Sequence, residues 1–179
     1  REPQDSQEIS TDKVKEGLDI FRKLGVIEVV FSGGNPLLRD DIGEIIDYSS
    51  RYFITTVYDN GSLAAEKIDA LHSADFVAIS LDSLDKRKLD YIKGVSGAWE
   101  KAMHTIEMLH KEGISVVISP TISAINQHEI VDFTKYFINR HIPVLFCLYS
   151  YDYPVDNRLF GIGKRIDEFE PTDRATLAK

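Results

Sequence analysis

The stretch VIEVVFSGGNP at residues 26–36 joins a strand pattern directly to a glycine-rich loop. The β-branched run Val26–Phe31 predicts a buried strand, and a helix is expected to begin near Asp40. Gly33 and Gly34 let the backbone turn sharply and bring bare N–H and C=O groups close to a ligand. Pro36 stiffens the exit from the loop and biases the residue before it away from the helical region. The loop therefore predicts a binding site built from main chain.

Strand-like and helix-like segments alternate along the chain. The helix before Val26 has Ser10 as its expected N-cap and Gly25 at its end, and a second helix runs from about Ala98 to Glu112. Five short apolar segments have the pattern of strands covered on both faces: Val26–Phe31, Phe53–Tyr58, Phe76–Leu81, Val116–Thr121 and Val144–Tyr149. This order predicts an α/β fold with a parallel sheet, either doubly wound or part of a (β/α) barrel.

The composition limits the classes of function. The 179 residues carry a formal charge of −8 with no basic block, which argues against nucleic acid and anionic membranes as partners. No apolar run approaches the ~20 residues that a bilayer requires. Cys147 is the only cysteine, which is typical of a reducing compartment and predicts a cytoplasmic protein. We expect residues 1–179 to form one domain, truncated at both ends, because the chain opens on a helix and closes on a helix start at Pro171–Arg174.

Each predicted strand is followed by small polar residues, where parallel sheets bind ligands. These residues are Ser32 to Asn35, then Asp59-Asn60-Gly61, Ser80 with Asp82 and Ser83, Thr121 with Asn126, and finally Tyr149, Tyr151, Asp152 and Tyr153. Structural explanations remain open for several of them. Asn126 could be a helix N-cap, Asp82 and Ser83 could cap the helix near Asp85, and Cys147 is most simply a core residue. Gly161-Ile162-Gly163 is weak evidence for a dinucleotide loop.

Four motifs resemble those of radical S-adenosylmethionine (SAM) enzymes. The segment FSGGNPLLR at residues 31–39 is similar to their SGGEPLLR, and DNGSL at 59–63 is similar to T-N-G-T-L. AISLDS at 78–83 matches their ISLDS strand end, and YIKGVSGAW at 91–99 resembles R-G-x-x-G-S/A-F/W. The motifs span about Ser10 to Asn126 and are most similar to the subgroup of the molybdopterin-precursor cyclase and the SPASM peptide maturases.

The resemblance implies a partial (β/α)6 TIM-like barrel of parallel strands, with the first strand missing from this chain. It implies that SAM is bound by Gly33, Gly34, Asn35 and Pro36, whose backbone receives the methionine amino group. It further implies that Ser80 and Asp82 contact the ribose or methionine end, with Thr121 and Asn126 as further candidates. Carbonyl and acidic groups hold an ammonium well, which agrees with these assignments.

The chain departs from the family pattern at two places. The glutamate of G-G-E-P is Asn35 here, and an amide brings no charge to oppose an ammonium, which implies weaker or differently arranged cofactor binding. The CxxxCxxC loop that holds a [4Fe–4S] cluster precedes the helix at Ser10 in family order, so its cysteines are absent from this chain. Either the loop lies upstream, or the protein is a relative without a cluster.

The implied function is reductive cleavage of SAM to a 5′-deoxyadenosyl radical, an oxidoreductase-type reaction that abstracts hydrogen from a small-molecule or peptide substrate. The implied electron donor is a flavodoxin or ferredoxin. One alternative is a degenerate barrel that acts as a binding or regulatory module. Another is a conventional barrel lyase or aldolase, against which stands the absence of a lysine at any predicted strand end. The residues do not identify the substrate or any catalytic side chain.

Overall fold

The computed structural model of the protein describes residues 8–149. Within them, the helices are α1 (Thr11–Lys23), α2 (Ile42–Ser50), α3 (Lys86–Lys93), α4 (Ala98–Lys111) and α5 (Ile130–Ile138). The strands are β1 (Glu28–Phe31), β2 (Ile54–Asp59), β3 (Phe76–Ile79), β4 (Val116–Ile118), β5 (Thr121–Ile122) and β6 (Cys147–Leu148). Short 3₁₀ turns occupy Pro36–Leu38, Ile68–Leu71 and Gln127–Glu129.

The first four strands form one parallel sheet in the order β1-β2-β3-β4, with helical connections between successive strands. Chain order and spatial order coincide, which is the arrangement of a barrel wall rather than of a doubly wound sheet. The α/β prediction of an open barrel arc is confirmed. No helix among residues 8–149 is both long enough and apolar enough to cross a membrane.

The wall continues past β4, but two predicted strands are shorter than expected. The segment Val116–Thr121 is split at Pro120, which has no N–H to donate to a neighbouring strand. Pairing nevertheless persists along Val144–Tyr149: the backbone N–H groups of Leu145, Cys147 and Tyr149 donate to the carbonyls of residues 118, 120 and 122, at 2.8, 3.0 and 2.9 Å. Regular strand geometry is confined there to Cys147–Leu148.

The helix-facing side of the sheet forms the core. Its strand residues pack against apolar side chains from the helices and connecting loops, and together they are nearly inaccessible to solvent: Val57, Val77, Ile79, Val116 and Ile118 from the strands, with Ile46, Leu89, Ile106, Leu109, Phe133 and Phe137 from the helices. Burial of this apolar surface is the main force that holds the wall to its helices.

The opposite side of the sheet, here called the inner face, is partly open. By strand alternation and register it carries Glu28, Val30, Ile54, Thr56, Tyr58, Phe76, Ala78 and Val117. Val30 is 48% exposed, Ile54 44% and Phe76 38%, so the prediction of strands covered on both faces is wrong for β1 and for the first residues of β2 and β3. Within the described chain, helices cover one face of the sheet only.

The first helix begins as its sequence predicts. The Ser10 hydroxyl accepts a hydrogen bond from the backbone N–H of Lys13, and Gly25 ends the segment with φ of +79°. Of its apolar residues, Leu18 is in the core, whereas Phe21 and the C-cap residue Leu24 are 46% and 74% exposed. Helix α2 begins at Ile42, close to the start expected near Asp40, and α4 has nearly the bounds expected for Ala98–Glu112.

Candidate functional site

The double-glycine loop follows β1 and presents its backbone to open space. Gly33 has φ of +130°, a conformation that L side chains rarely adopt. A Cβ added at Gly33 or at Gly34 would have no other heavy atom within 4 Å. Beside the loop lies a cleft of about 360 Å³, lined in part by Ser32, Gly34 and Asn35. A ligand can therefore approach this main chain closely.

Both polar atoms of the Asn35 side chain, Oδ1 and Nδ2, make hydrogen bonds within the fold. Its Oδ1 accepts from the Leu37 N–H at 3.0 Å, which caps the Pro36–Leu38 turn. Its Nδ2 donates to Asp59 Oδ1 at 2.6 Å. Asp59, the last residue of β2, is 3% exposed, and its Oδ2 accepts from the N–H groups of Gly61 at 2.8 Å and Ala64 at 3.3 Å. One buried carboxylate thus joins the loops after β1 and β2.

The loop after β2 is also fixed from the side of α4. Gly61 has φ of +84°, and its carbonyl accepts from the Thr105 hydroxyl at 3.0 Å. A Cβ at position 61 would lie 2.7 Å from both Cα and Cβ of Ala102. Only glycine fits this contact without a shift of α4.

A second polar group lies at the end of β3, and sequence reasoning missed its central residue. Lys93, the last residue of α3, places its Nζ 2.7 Å from Ser80 Oγ and 2.8 Å from Asp82 Oδ2. The other oxygen of Asp82 accepts from the Thr121 N–H at 2.7 Å. The side chain of Asp82 is 4% exposed and that of Lys93 23%. No strand of the sheet ends in a lysine, as the sequence indicated, but Lys93 reaches the end of β3 from helix α3.

Asn126 belongs to the same group, but not as the N-cap that spacing predicted. Its Oδ1 accepts from the Ser123 N–H at 2.7 Å, and its Nδ2 donates to the carbonyls of Asp82 and Thr121 at 2.7 and 2.8 Å. It makes no capping hydrogen bond to the 3₁₀ turn that follows. Asn126 therefore holds the ends of two wall segments together from a buried position.

Helix α3 is capped by other residues than Asp82. Asp85 accepts from the Lys88 N–H at 3.0 Å, and Ser83 accepts from the Asp85 N–H at 3.0 Å. Asp82 faces the strand ends instead, where its carboxylate contacts Lys93 and the Thr121 N–H. The suggestion that Asp82 caps this helix is wrong, whereas Ser83 supports its start.

Two groups of residues thus lie side by side at one edge of the sheet. The first is the double-glycine loop with Asp59, and the second is the group around Lys93. The backbone N–H of Ser80 donates to the carbonyl of Asp59 at 2.9 Å, which links the end of β3 to the end of β2. All eight predicted cofactor-binding residues lie in these two groups: Gly33, Gly34, Asn35 and Pro36 in the first, and Ser80, Asp82, Thr121 and Asn126 in the second. The signal for Lys93 was the segment at residues 91–99, where this chain has Lys93-Gly94 in place of the arginine and glycine of the family motif R-G-x-x-G-S/A-F/W.

Other predicted residues lie elsewhere. Cys147 is exposed rather than in the core, with its Sγ 3.9 Å from Ser119 Oγ. Among residues 8–149, no three His, Cys, Asp or Glu side chains are grouped as metal ligands. Tyr149 is at the end of the wall, whereas Tyr151, Asp152, Tyr153, Gly161–Gly163 and Pro171–Arg174 lie outside the described residues.

The ion pair of Arg39 with Asp41, beside the double-glycine loop, connects that loop to the start of α1. Arg39 donates from Nε and Nη2 to the two carboxylate oxygens of Asp41, at 2.8 and 2.6 Å, and from Nη1 to the Ile9 carbonyl at 3.1 Å. The Arg39 guanidinium, then the Thr11 hydroxyl, lower the pKa of Asp41 to about 2. This pair fixes one wall of the cleft.

The family of the protein follows from comparison of its sequence with known proteins. Residues 1–137 match the Radical SAM superfamily, and the chain belongs to that superfamily. It is 33% identical over 132 residues to the AdoMet-dependent heme synthase of Nitratidesulfovibrio vulgaris, covering 72% of this chain and 36% of that protein. It is 30% identical over 152 residues to the GTP 3′,8-cyclase of Aquifex aeolicus, covering 80% and 47%. The chain thus spans less than half of the length of either relative.

Solved structures share the fold. Streptococcus suis SuiB bound to S-adenosylmethionine superposes with a TM-score of 0.77 at 16% identity, covering 96% of this chain and 39% of SuiB. The protein anSMEcpe, with bound AdoMet and a Kp18Cys peptide, gives a TM-score of 0.65 at 13% identity, covering 86% and 49%. At these identities the likeness concerns the fold, and it supports the partial barrel arrangement.

Proposed function

We propose that this chain is the SAM-binding core of a radical SAM enzyme that abstracts hydrogen from a small-molecule or peptide substrate. The observation that carries the proposal is that an accessible double-glycine backbone after β1 and the Ser80, Asp82 and Lys93 group after β3 lie at the same edge of the sheet. Family membership gives the chemistry, and this edge of the sheet offers the matching polar groups.

The polar groups fit the parts of SAM that need recognition. Carbonyls of Gly33 and Gly34 can accept from the methionine ammonium, and Lys93 can pair with its carboxylate. Ser80 and Asp82 suit ribose hydroxyls. Asn35 and Pro36 act by shaping the loop, because the Asn35 amide is engaged within the fold. Thr121 and Asn126 hold Asp82 in position from the next strand.

A negative charge remains beside position 35 despite the missing glutamate. The Asp59 carboxylate lies 2.6 Å from the Asn35 amide, at a position where the family motif has threonine. Asp59 is buried and accepts hydrogen bonds from Asn35 and Gly61 within the fold, so it adds negative potential near this loop rather than a direct contact with the ammonium.

The iron–sulfur cluster is not assigned to this chain, because a single cysteine cannot supply three thiolates. In the family, the reduced cluster and SAM supply the 5′-deoxyadenosyl radical. The residues described here orient SAM and shield it from water. We further propose a cytoplasmic location and a flavodoxin or ferredoxin as reductant.

The test is SAM binding to the full-length protein, measured by calorimetry without oxygen. Gly34→Ala adds a methyl group where a ligand backbone contact is proposed, yet where the fold leaves free space. We expect it to weaken SAM binding roughly tenfold or more while leaving the unfolding temperature unchanged. Gly17→Ala, which also has free space, is the matched control and keeps wild-type affinity. Equal affinity in both variants would contradict the proposal.

A second candidate is the conventional barrel lyase, which the Lys93 position favours. Lys93 beside Ser80 and Asp82 provides the proton-transfer pair that the strand sequences lacked. Formation of 5′-deoxyadenosine by the full-length protein under reducing conditions distinguishes the two. SAM binding without this product would instead favour a binding or regulatory module.

A further inference from the structure

The inner face of the sheet is nearly uncharged. The four strands β1 to β4 contain no lysine or arginine, and their acidic residues are Glu28 and Asp59. Asp59 turns toward the loops and the helices, where its carboxylate accepts backbone N–H groups. Glu28 is thus the one charged side chain that these four strands place on the inner face.

The accessible part of that face is apolar: Val30, Ile54 and Phe76 are exposed, whereas Thr56 and Ala78 are buried. Val30, Thr56 and Phe76 are aligned across three strands by register, and Val30 and Phe76 are 48% and 38% exposed. Tyr58 and Ala78 form the next row toward the loops. An anion on this surface would lose water without gaining a cation, which is costly, whereas an apolar group would be stabilised by burial.

Glu28 is oriented by a buried neighbour. The Thr56 hydroxyl, on a residue that is 6% exposed, donates to Glu28 Oε1 at 3.0 Å. Glu28 itself is exposed, and its second carboxylate oxygen has no partner among residues 8–149. A carboxylate held in one orientation beside apolar surface binds a protonated amine most strongly, because both charges are compensated by a directional hydrogen bond.

We propose that the substrate has an apolar body that lies on the inner face and a protonated amine that donates a hydrogen bond to the Glu28 carboxylate. The proposal rests on the proposed function, since it assigns the substrate class of that same barrel. Glu28 precedes Ser32 by four residues, so the amine would lie roughly 13 Å along the strand from the double-glycine loop. The substrate therefore extends along β1 rather than lying only across the strand ends.

The test compares three probes of equal chain length on the full-length protein: octylamine, octanoate and octanol. Dissociation constants are measured by calorimetry for the wild type, Glu28→Gln and Thr56→Val. We expect octylamine to bind roughly tenfold more tightly than octanol, the effect of a hydrogen bond to a charged group. Glu28→Gln removes this preference, and Thr56→Val reduces it. Glu66→Gln, which changes an exposed carboxylate outside the sheet, keeps the preference.

Three results overturn the proposal. The first is a preference for octylamine that survives Glu28→Gln, and the second is octanoate binding at least as tightly as octylamine. The third is failure of all three probes to bind a protein with a normal unfolding temperature. SAM affinity, measured on the same samples, separates the two hypotheses: its absence refutes the proposed function, while the amine preference is decided by the probes alone.

Discussion

Asn35 Nδ2 and Asp59 Oδ1 are 2.6 Å apart, and this hydrogen bond joins the first two loops of the site. The two residues are complementary: a donor amide faces a buried acceptor carboxylate that also receives the N–H of Gly61. The pair explains why this chain has an amide where the family motif has an acid. A second acid in that place would face the first.

We predict that Asn35→Glu destabilises the protein by about 2 kcal/mol, because two carboxylates would then share a buried contact. Urea unfolding monitored by circular dichroism measures the change. The double variant Asn35→Glu with Asp59→Asn returns the acid to the first loop and should recover most of the stability. A double variant that is as unstable as the sum of the single changes would show that the pair is not coupled.

We predict that Gly61→Ala lowers the free energy of unfolding by about 2–4 kcal/mol, from backbone strain together with a clash against Ala102. Gly94→Ala is the matched control, because Gly94 also has positive φ, at +71°, but has free space at its Cβ position. It should cost only about 1–2 kcal/mol. Equal losses in the two variants would mean that the contact with α4 contributes nothing.

We predict that Lys93→Met destabilises the protein by about 3 kcal/mol, because it leaves the carboxylate of Asp82 buried without its cation. Adding Asp82→Asn removes that charge and should restore a large part of the loss. Thermal unfolding of the single and double variants gives the comparison. If the second change brings no recovery, then the loss comes from packing of the lysine stem rather than from charge.

The Asp41 ion pair predicts a specific acid sensitivity. Arg39 and Thr11 lower the pKa of Asp41 from 3.8 to about 2, so the folded state binds this proton more weakly than the unfolded state. The pair therefore adds stability above about pH 4, and this contribution is lost as the pH falls toward 2.

Urea unfolding between pH 7 and pH 2.5 tests this dependence. Arg39→Met should remove part of the acid-induced loss and lower stability mainly at neutral pH. Arg51→Met, at an exposed arginine without an assigned ion pair, should leave the wild-type pH dependence unchanged. Parallel curves for wild type and Arg39→Met would refute the assignment.

Local signals in the sequence predicted local structure well. The Ser10 cap, the Gly25 terminus and the glycine loop after β1 each depend on residues a few positions apart, and each is confirmed. These features are set by backbone conformation and by hydrogen bonds within one turn, which a single sequence expresses directly.

Features that depend on contacts distant in the sequence were predicted less well. Lys93 reaches Ser80 across 13 positions, and Asn126 bonds to Asp82 across 44. Neither distance follows from a local pattern, because both depend on how a helix or loop packs on the strand ends. The open inner face was missed for a related reason: an apolar strand is identical in sequence whether its second face is covered or not.

The hydrogen bonds that continue the wall past the break at Pro120 predict an alternating pattern of amide hydrogen exchange along residues 145–149. Leu145, Cys147 and Tyr149 donate inward to the wall, so their amide protons should exchange slowly. The intervening amides of Phe146 and Leu148 point the other way in an extended strand, toward the side where the described chain has no further strand. That side is an unpaired strand edge, whose free N–H and C=O groups can pair with one more strand. Rapid exchange of the amide protons of Phe146 and Leu148 would identify this edge.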